Sequence, residues 1–332
     1  MNNNDHIADV LNEVQSYIDS DRSDEAVGLL SKAVEAEPSL ADKRLAAELG
    51  LIERLITSRK MLKDSEYARS FEMVSKYCRH VYGNIDELNY SGVDQGFLPD
   101  IDKIWICWLQ GLENAPDIVK VCIDSVRRIG REVIILDEEN IHNYVDMPSH
   151  IVDAYRQGNM SSAHYSDLLR LELLTGRGGM WVDSTVYCTS ADMLLDISGS
   201  CDLFAYRAIC ADNISKYATY DSWLMYASRP SLILEDTKRM LHAYWHNESD
   251  LKHYFLLHLM MNIACERHRD EEAGIPIFSS EPCHVLQMEM HNPYSEHRYE
   301  QIKSMSGIHK LTYKYDVNAD IHGTYLEKIL KS

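Results

Sequence analysis

The larger, C-terminal part of this 332-residue chain is predicted to be an α/β domain, preceded by an all-α segment. Three observations carry this. Residues 101–136 alternate an apolar strand pattern, an amphipathic helix pattern and a second apolar strand, the opening of a parallel sheet. Residues 164–189 read helix, glycine turn, buried strand, aspartate. Residues 5–82 show helical periodicity only.

The elements follow in order. Ile7, Val10, Leu11, Val14 and Ile18 form one apolar stripe. Ala26, Val27, Leu29, Leu30, Ala33 and Val34 form a second, ended by Pro38. The pair resembles one tetratricopeptide-type hairpin without a second copy, so it is either a partner-binding module or a helical cap on the main domain. Leu40–Ile56 and Glu66–Val81 read as two more helices. Tyr82–Pro99, with Gly83, Gly92 and Gly96, reads as a linker. The expected division is therefore 1–95, helical, and 96–332, α/β.

Within the second part, Ile101–Leu109 is a predicted strand, Gln110–Pro116 a loop, Asp117–Ile129 a helix and Glu132–Leu136 a strand. Ser149–Arg156 and Ser166–Thr175 are helical, the second packed with Leu168, Leu169, Leu171, Leu173 and Leu174. Gly176, Gly178 and Gly179 end it and permit a tight turn into the strand Met180–Val182. Asp183, Ser184 and Thr185 close that strand, and Val186–Cys188 is expected to resume it. Further on, Leu203–Ala208 reads as a strand, and Ser222–Ala227, Ser231–His246 and Leu251–His268 as helices. Ile275–Phe278 and Lys310–Lys314 read as short strands, and Tyr325–Leu330 as a last helix.

Composition excludes several classes. A net charge of −19, spread along the chain, argues against nucleic acid as the main partner, since phosphate binding needs a basic face. No run of about 18 apolar residues suggests a membrane span, and Met1–Val10 lacks the apolar core of a signal peptide. The eight cysteines form no CxxC pair and mostly sit in apolar contexts, as expected of free thiols in a cytoplasmic protein.

The candidate chemistry gathers near residue 183. Asp183 ends a buried strand, where open α/β sheets place their sites. It is either a turn cap or a ligand for Mg²⁺ or Mn²⁺, with hydroxyl and phosphate oxygens completing the shell. Asp167 and Arg170 lie one helical turn apart. They are either a surface ion pair or a grip on a polyhydroxylated ligand, the Asp accepting and the Arg donating. Trp105, Trp108 and Gln110, on and after the first strand, are either core or flank a nucleotide base. His242, His246, His253 and His258 form no HExxH pattern and read as structural or surface residues.

Residues Ile104–Arg128, Ser166–Val186, Ser222–Leu234, Tyr244–His258 and Gly307–Tyr315 resemble the bacterial capsular-polysaccharide-synthesis glycosyltransferases. These are related to the DXD-type mannosyltransferases and, more distantly, to the clostridial glucosylating toxins. The resemblance covers about residues 100–330 and implies a GT-A fold, a Rossmann-like sheet that binds a nucleotide sugar through a DXD motif and a divalent ion. It places Asp167 and Arg170 as donor-sugar contacts, Asp183 as the first acid of the motif, Trp181 as the strand residue before it, and Trp108 and Gln110 near the base. At the second acid this chain has Thr185, as close relatives also do. A hydroxyl gives one neutral oxygen where a carboxylate gives a charged one, so another ligand, or a more loosely held ion, is needed. His309 and Lys310 are candidates for metal or phosphate contact.

The implied function is hexosyl transfer from a nucleotide sugar, a UDP-sugar by preference, to a growing saccharide that is lipid-linked. Retention of configuration and Mn²⁺ or Mg²⁺ as cofactor come with it. The expected location is the cytoplasm, at the inner face of the membrane, with the N-terminal helices available to a protein partner. The alternative is a non-catalytic binding or scaffold subunit of a polysaccharide assembly complex. Nucleotidyl transfer ranks below both, because Gln110–Pro116 has one glycine and no basic residue.

Overall fold

The computed structural model describes residues 29, 66–88, 96–207 and 218–332. The two apolar stripes before residue 40 and the helix expected at Leu40–Ile56 lie outside the described residues, Leu29 apart.

In chain order the elements are α1 (Glu66–Tyr82), β1 (Ile104–Cys107), α2 (Asp117–Arg127), β2 (Val133–Leu136), α3 (Ser149–Arg156), α4 (Ser162–Gly176), β3 (Gly179–Val182) and β4 (Val186–Cys188). There follow α5 (Asp192–Ser200), β5 (Leu203–Arg207), β6 (Tyr220–Ala227), α6 (Leu232–Asn247), α7 (Leu256–Arg267), α8 (Arg269–Glu272), α9 (Glu281–Glu289), α10 (Glu296–Met305), β7 (Ile308–Lys310) and α11 (Tyr325–Leu330). Five strands form the main sheet in the order β2-β1-β3-β6-β5, and β4 pairs with β7 in a separate ribbon. β1 is parallel to both β2 and β3, while β6 runs antiparallel to β3 and β5. Four of the five strands therefore point the same way, a mixed α/β sheet compatible with a Rossmann-like arrangement.

Strand alternation explains the layers. Trp105, Trp181, Ala205 and Met225 join one apolar cluster with Leu168 and Leu171 of α4, Leu241 of α6 and Leu257 of α7. Ile104, Ile106, Met180, Val182, Phe204 and Leu224 join the other, with Ile118 and Cys122 of α2, Leu286 of α9 and Leu326 of α11. Side chains of period 2 thus feed two cores, one on each face, and the sheet is covered on both sides.

The turn from α4 into β3 requires its glycines. Gly178 and Gly179 have φ of +68° and +87°. A Cβ on Gly178 would lie 2.6 Å from the Ala227 carbonyl oxygen, and one on Gly179 would lie 2.8 Å from both the Lys103 oxygen and Trp105 Nε1. The Trp105 indole donates to the Gly178 carbonyl at 2.8 Å, tying the turn to β1.

Several expectations are corrected. Ser222–Ala227 is the heart of β6, not a helix. Its residues are buried on both faces, and a short continuous apolar run carries no period that separates strand from helix. Val186–Cys188 does not resume β3. The Val186 amide donates to the Asp183 carbonyl at 3.0 Å, closing a turn, and β4 leaves the sheet to meet β7. The expected strand Ile275–Phe278 makes no ladder. Only Ser279 bridges to Arg207. The strand expected at 310–314 lies earlier, at Ile308–Lys310, because those are the residues that meet β4. Tyr82 and Ile85, assigned to a linker, are fully buried against the core. α5, α9 and α10 had no sequence expectation.

Among the described residues no helix is long and apolar enough to cross a membrane, and the seven cysteines among them are free thiols.

Candidate functional site

β1 pairs with β2 on one side and β3 on the other, so the strand order reverses at β1. Crevices of open α/β sheets form outside the strand ends at such a reversal. The ends of β1 and β3 carry Trp108 and Asp183.

Asp183 owes its direction to the pleat. Two residues after Trp181, it stays on the same sheet face, the one that α4 crosses. Its Oδ1 accepts from Trp181 Nε1 at 3.0 Å and from an Arg170 terminal nitrogen at 3.1 Å. Its Oδ2 accepts from Lys310 Nζ at 2.7 Å. The other Arg170 terminal nitrogen donates to Asp167 Oδ1 at 2.9 Å. The guanidinium lies 4.8 Å over the Trp181 ring, a contact of about 2 kcal/mol when desolvated. Arg170 is only 3% exposed and Asp183 27%. The Asp167–Arg170 pair is therefore an internal bridge that orients Asp183, which decides against the surface-pair reading. His164 Nδ1 lies 3.3 Å from the other Asp167 oxygen, and the α4 N-cap, Ser161 Oγ accepting from the His164 amide, holds this end of the helix.

Lys310 arrives from the far end of the chain. β7 pairs with β4 so that Lys310 faces Val186, and the Leu311 amide donates to the Thr185 carbonyl at 2.9 Å. The ammonium donates to Thr185 Oγ1 at 2.7 Å as well as to Asp183. Burial pushes the Asp183 carboxyl up, but Lys310 and Arg170 outweigh it and hold the group below the usual carboxylate range.

The other expected residues divide. Trp108 sits at the rim, edge-on to Tyr313 at 5.3 Å. Its indole nitrogen is buried and has no partner among the described residues. Gln110 is exposed in the following loop. His309 is fully buried and, one residue from Lys310 on a strand, projects to the opposite face. Its Nε2 lies 3.1 Å from Thr189 Oγ1, and burial pulls the ring down to about 4. It is not brought to Asp183.

Some neighbours had no functional assignment from sequence, His258 having been read as a structural or surface residue. His258 feels burial first, which lowers it, then Asp167, Asp221, Arg170 and Asp183. Tyr254 is exposed, and its phenol is raised by lost solvent and then by Asp167 and Asp183. Burial raises the thiol of Cys107, at the end of β1, to about 12. Asp221 was hidden by the helix expected over the body of β6. For His258 the helix was legible but its facing was not.

The donor set does not suit a hard divalent ion. Such an ion wants several oxygens, carboxylates foremost. Here Asp183 and Thr185 converge on an ammonium, and the second Asp183 oxygen is taken by Arg170 and Trp181. Among the described residues no three His, Cys, Asp or Glu side chains gather as metal ligands.

The arrangement can hold an anion against Lys310 and hydroxyls against Asp167, while Arg170, 3% exposed, braces both aspartates. Comparison with curated proteins finds no match. The model of the capsular polysaccharide synthesis protein family matches residues 57–329, from ahead of α1 to the last turn of α11. Most of the chain, including every element of the sheet and the Asp183 cluster, thus falls within the match, and the chain belongs to the capsular polysaccharide synthesis protein family.

Proposed function

We propose that the protein is a glycosyltransferase of capsule assembly. It transfers a hexose from a nucleotide sugar, preferably a UDP-sugar, to a growing, lipid-linked saccharide with retention of configuration. One observation carries the reading. At the strand-order reversal, two carboxylates, a guanidinium and an ammonium are held in one hydrogen-bonded chain, Asp167–Arg170–Asp183–Lys310. In this reading Asp167 and Arg170 contact the sugar hydroxyls, and the cationic end meets the diphosphate. Trp108, whose indole N–H has no partner among the described residues, flanks the base beside Gln110. The barrier falls by stabilising the departing diphosphate with donors already in place.

The test is a panel of nucleotide sugars, scored by melting temperature and by donor turnover. Ligand binding to the native state raises the melting temperature by mass action. Asp183→Ala, checked for folding by circular dichroism, is expected to abolish turnover. Near wild-type turnover by that variant would show the site to be elsewhere.

The scaffold reading has one observation in its favour: both Asp183 oxygens are already satisfied inside the protein. Binding of a nucleotide sugar without any turnover would select it.

A further inference from the structure

The Asp183-Ser184-Thr185 turn presents two side-chain oxygens to one point, and that point is filled by a charge of the protein's own. Lys310 Nζ lies 2.7 Å from Asp183 Oδ2 and 2.7 Å from Thr185 Oγ1. The placement is built into the fold. β7 is laddered to β4, and the Leu311 amide donates to the Thr185 carbonyl, so the backbones on the two sides of the contact are hydrogen-bonded together. The far oxygen of Asp183 is occupied by Arg170 and Trp181. A divalent ion seated between Asp183 and Thr185 would have to expel the ammonium. It would then find one charged oxygen and one neutral one.

An ammonium has three donors. Two are spent on Asp183 and Thr185, the third has no partner among the described residues, and the Lys310 side chain is 19% exposed. Its position is preorganised, as a stabiliser of developing negative charge must be.

We propose that the Lys310 ammonium takes the place of a divalent ion at the diphosphate of the donor, so that transfer proceeds without metal. This rests on the glycosyltransferase reading above. In the step, the bond between the anomeric carbon and the diphosphate oxygen breaks, and the oxygen keeps the electron pair. The acceptor hydroxyl oxygen bonds to that carbon, and its proton passes to the departing diphosphate. Lys310 stays protonated throughout and contributes only charge and one hydrogen bond. Thr185 is then the suitable partner, because a second carboxylate would neutralise the ammonium that the diphosphate needs.

The experiment uses the full chain, freed of metal with EDTA. UDP is the binding probe, and UDP-glucose and UDP-galactose head the donor panel. Wild type is expected to bind UDP and turn over its donor equally, within about twofold, in EDTA, Mg²⁺ or Mn²⁺. Titration followed by the electron paramagnetic resonance of Mn²⁺ is expected to show no site. Lys310→Met should lose at least about 100-fold in turnover with EDTA present, and Lys310→Arg should lose less. Lys310→Ala should lose as much as Lys310→Met, and Mn²⁺ should not restore it, because one carboxylate oxygen and one hydroxyl do not hold a hard divalent ion.

Turnover by wild type that EDTA abolishes and Mn²⁺ restores would overturn the proposal and leave the glycosyltransferase reading standing. Undiminished turnover by Lys310→Met would do the same. Should Lys310→Met fail to fold, the wild-type EDTA and Mn²⁺ arms decide alone. Absence of nucleotide-sugar turnover under every condition would remove the glycosyltransferase reading, and this one with it.

Discussion

The pairing of Lys310 with Asp183 has a measurable energy. At 2.7 Å and an effective dielectric of about 20, the gross attraction is roughly 6 kcal/mol. Desolvation of two mostly buried charges offsets most of it, leaving a coupling of about 2 kcal/mol, within the range for contacting residues. Removing one partner strands the other. Each of Asp183→Asn and Lys310→Met should therefore cost about 3 kcal/mol, the low end for buried pairs, because the side chains keep 27% and 19% exposure. Unfolding entropy near the midpoint is about 0.7 kcal/mol per kelvin for 332 residues, so each single variant should melt about 4 °C lower. Simple addition gives about 9 °C for the double variant. With the coupling the loss is about 6 °C. Differential scanning calorimetry at pH 7 resolves the two. The sign with pH is set by the lowered carboxyl. The coupling is fully present above the unfolded aspartate value of about 3.9 and is lost as pH falls through the lower folded value. Additivity within about 1 °C at pH 7 would refute an energetic link between these groups.

Arg170→Lys is expected to cost at least about 10-fold in donor turnover, because one ammonium cannot replace the planar fork that bridges Asp167 and Asp183; steady-state kinetics checks it. Gly179→Ala should be poorly soluble or melt several degrees lower. It forces a side chain into φ of +87° and within 2.8 Å of two atoms, well beyond the roughly 1–3 kcal/mol of backbone strain alone. His309 is held neutral by burial, so unfolding takes up a proton between about 6.5 and about 4. Stability should fall as pH drops through that window, and His309→Gln should flatten the curve of melting temperature against pH there.

Local features were legible where a pattern was long or a special residue marked it. α3 and α11 were readable to the residue, and the α4–Gly–β3 passage was readable because positive φ demands glycine. β6 was not, since a strand buried on both faces shows no alternation. The internal nature of the Asp167–Arg170 bridge was also hidden. Spacing puts two residues on one face, but burial depends on Trp181 and the sheet beneath.

By itself the sequence determined an α/β domain and set a carboxylate at the close of a buried strand, because periodicity and turn chemistry act over a few residues. Only the tertiary structure decided what meets that carboxylate. Lys310 is 127 positions away. It reaches Asp183 because β4 leaves the sheet to pair with β7, and His309 beside it turns to the other face. Such a meeting follows from long-range strand pairing, which no local pattern encodes.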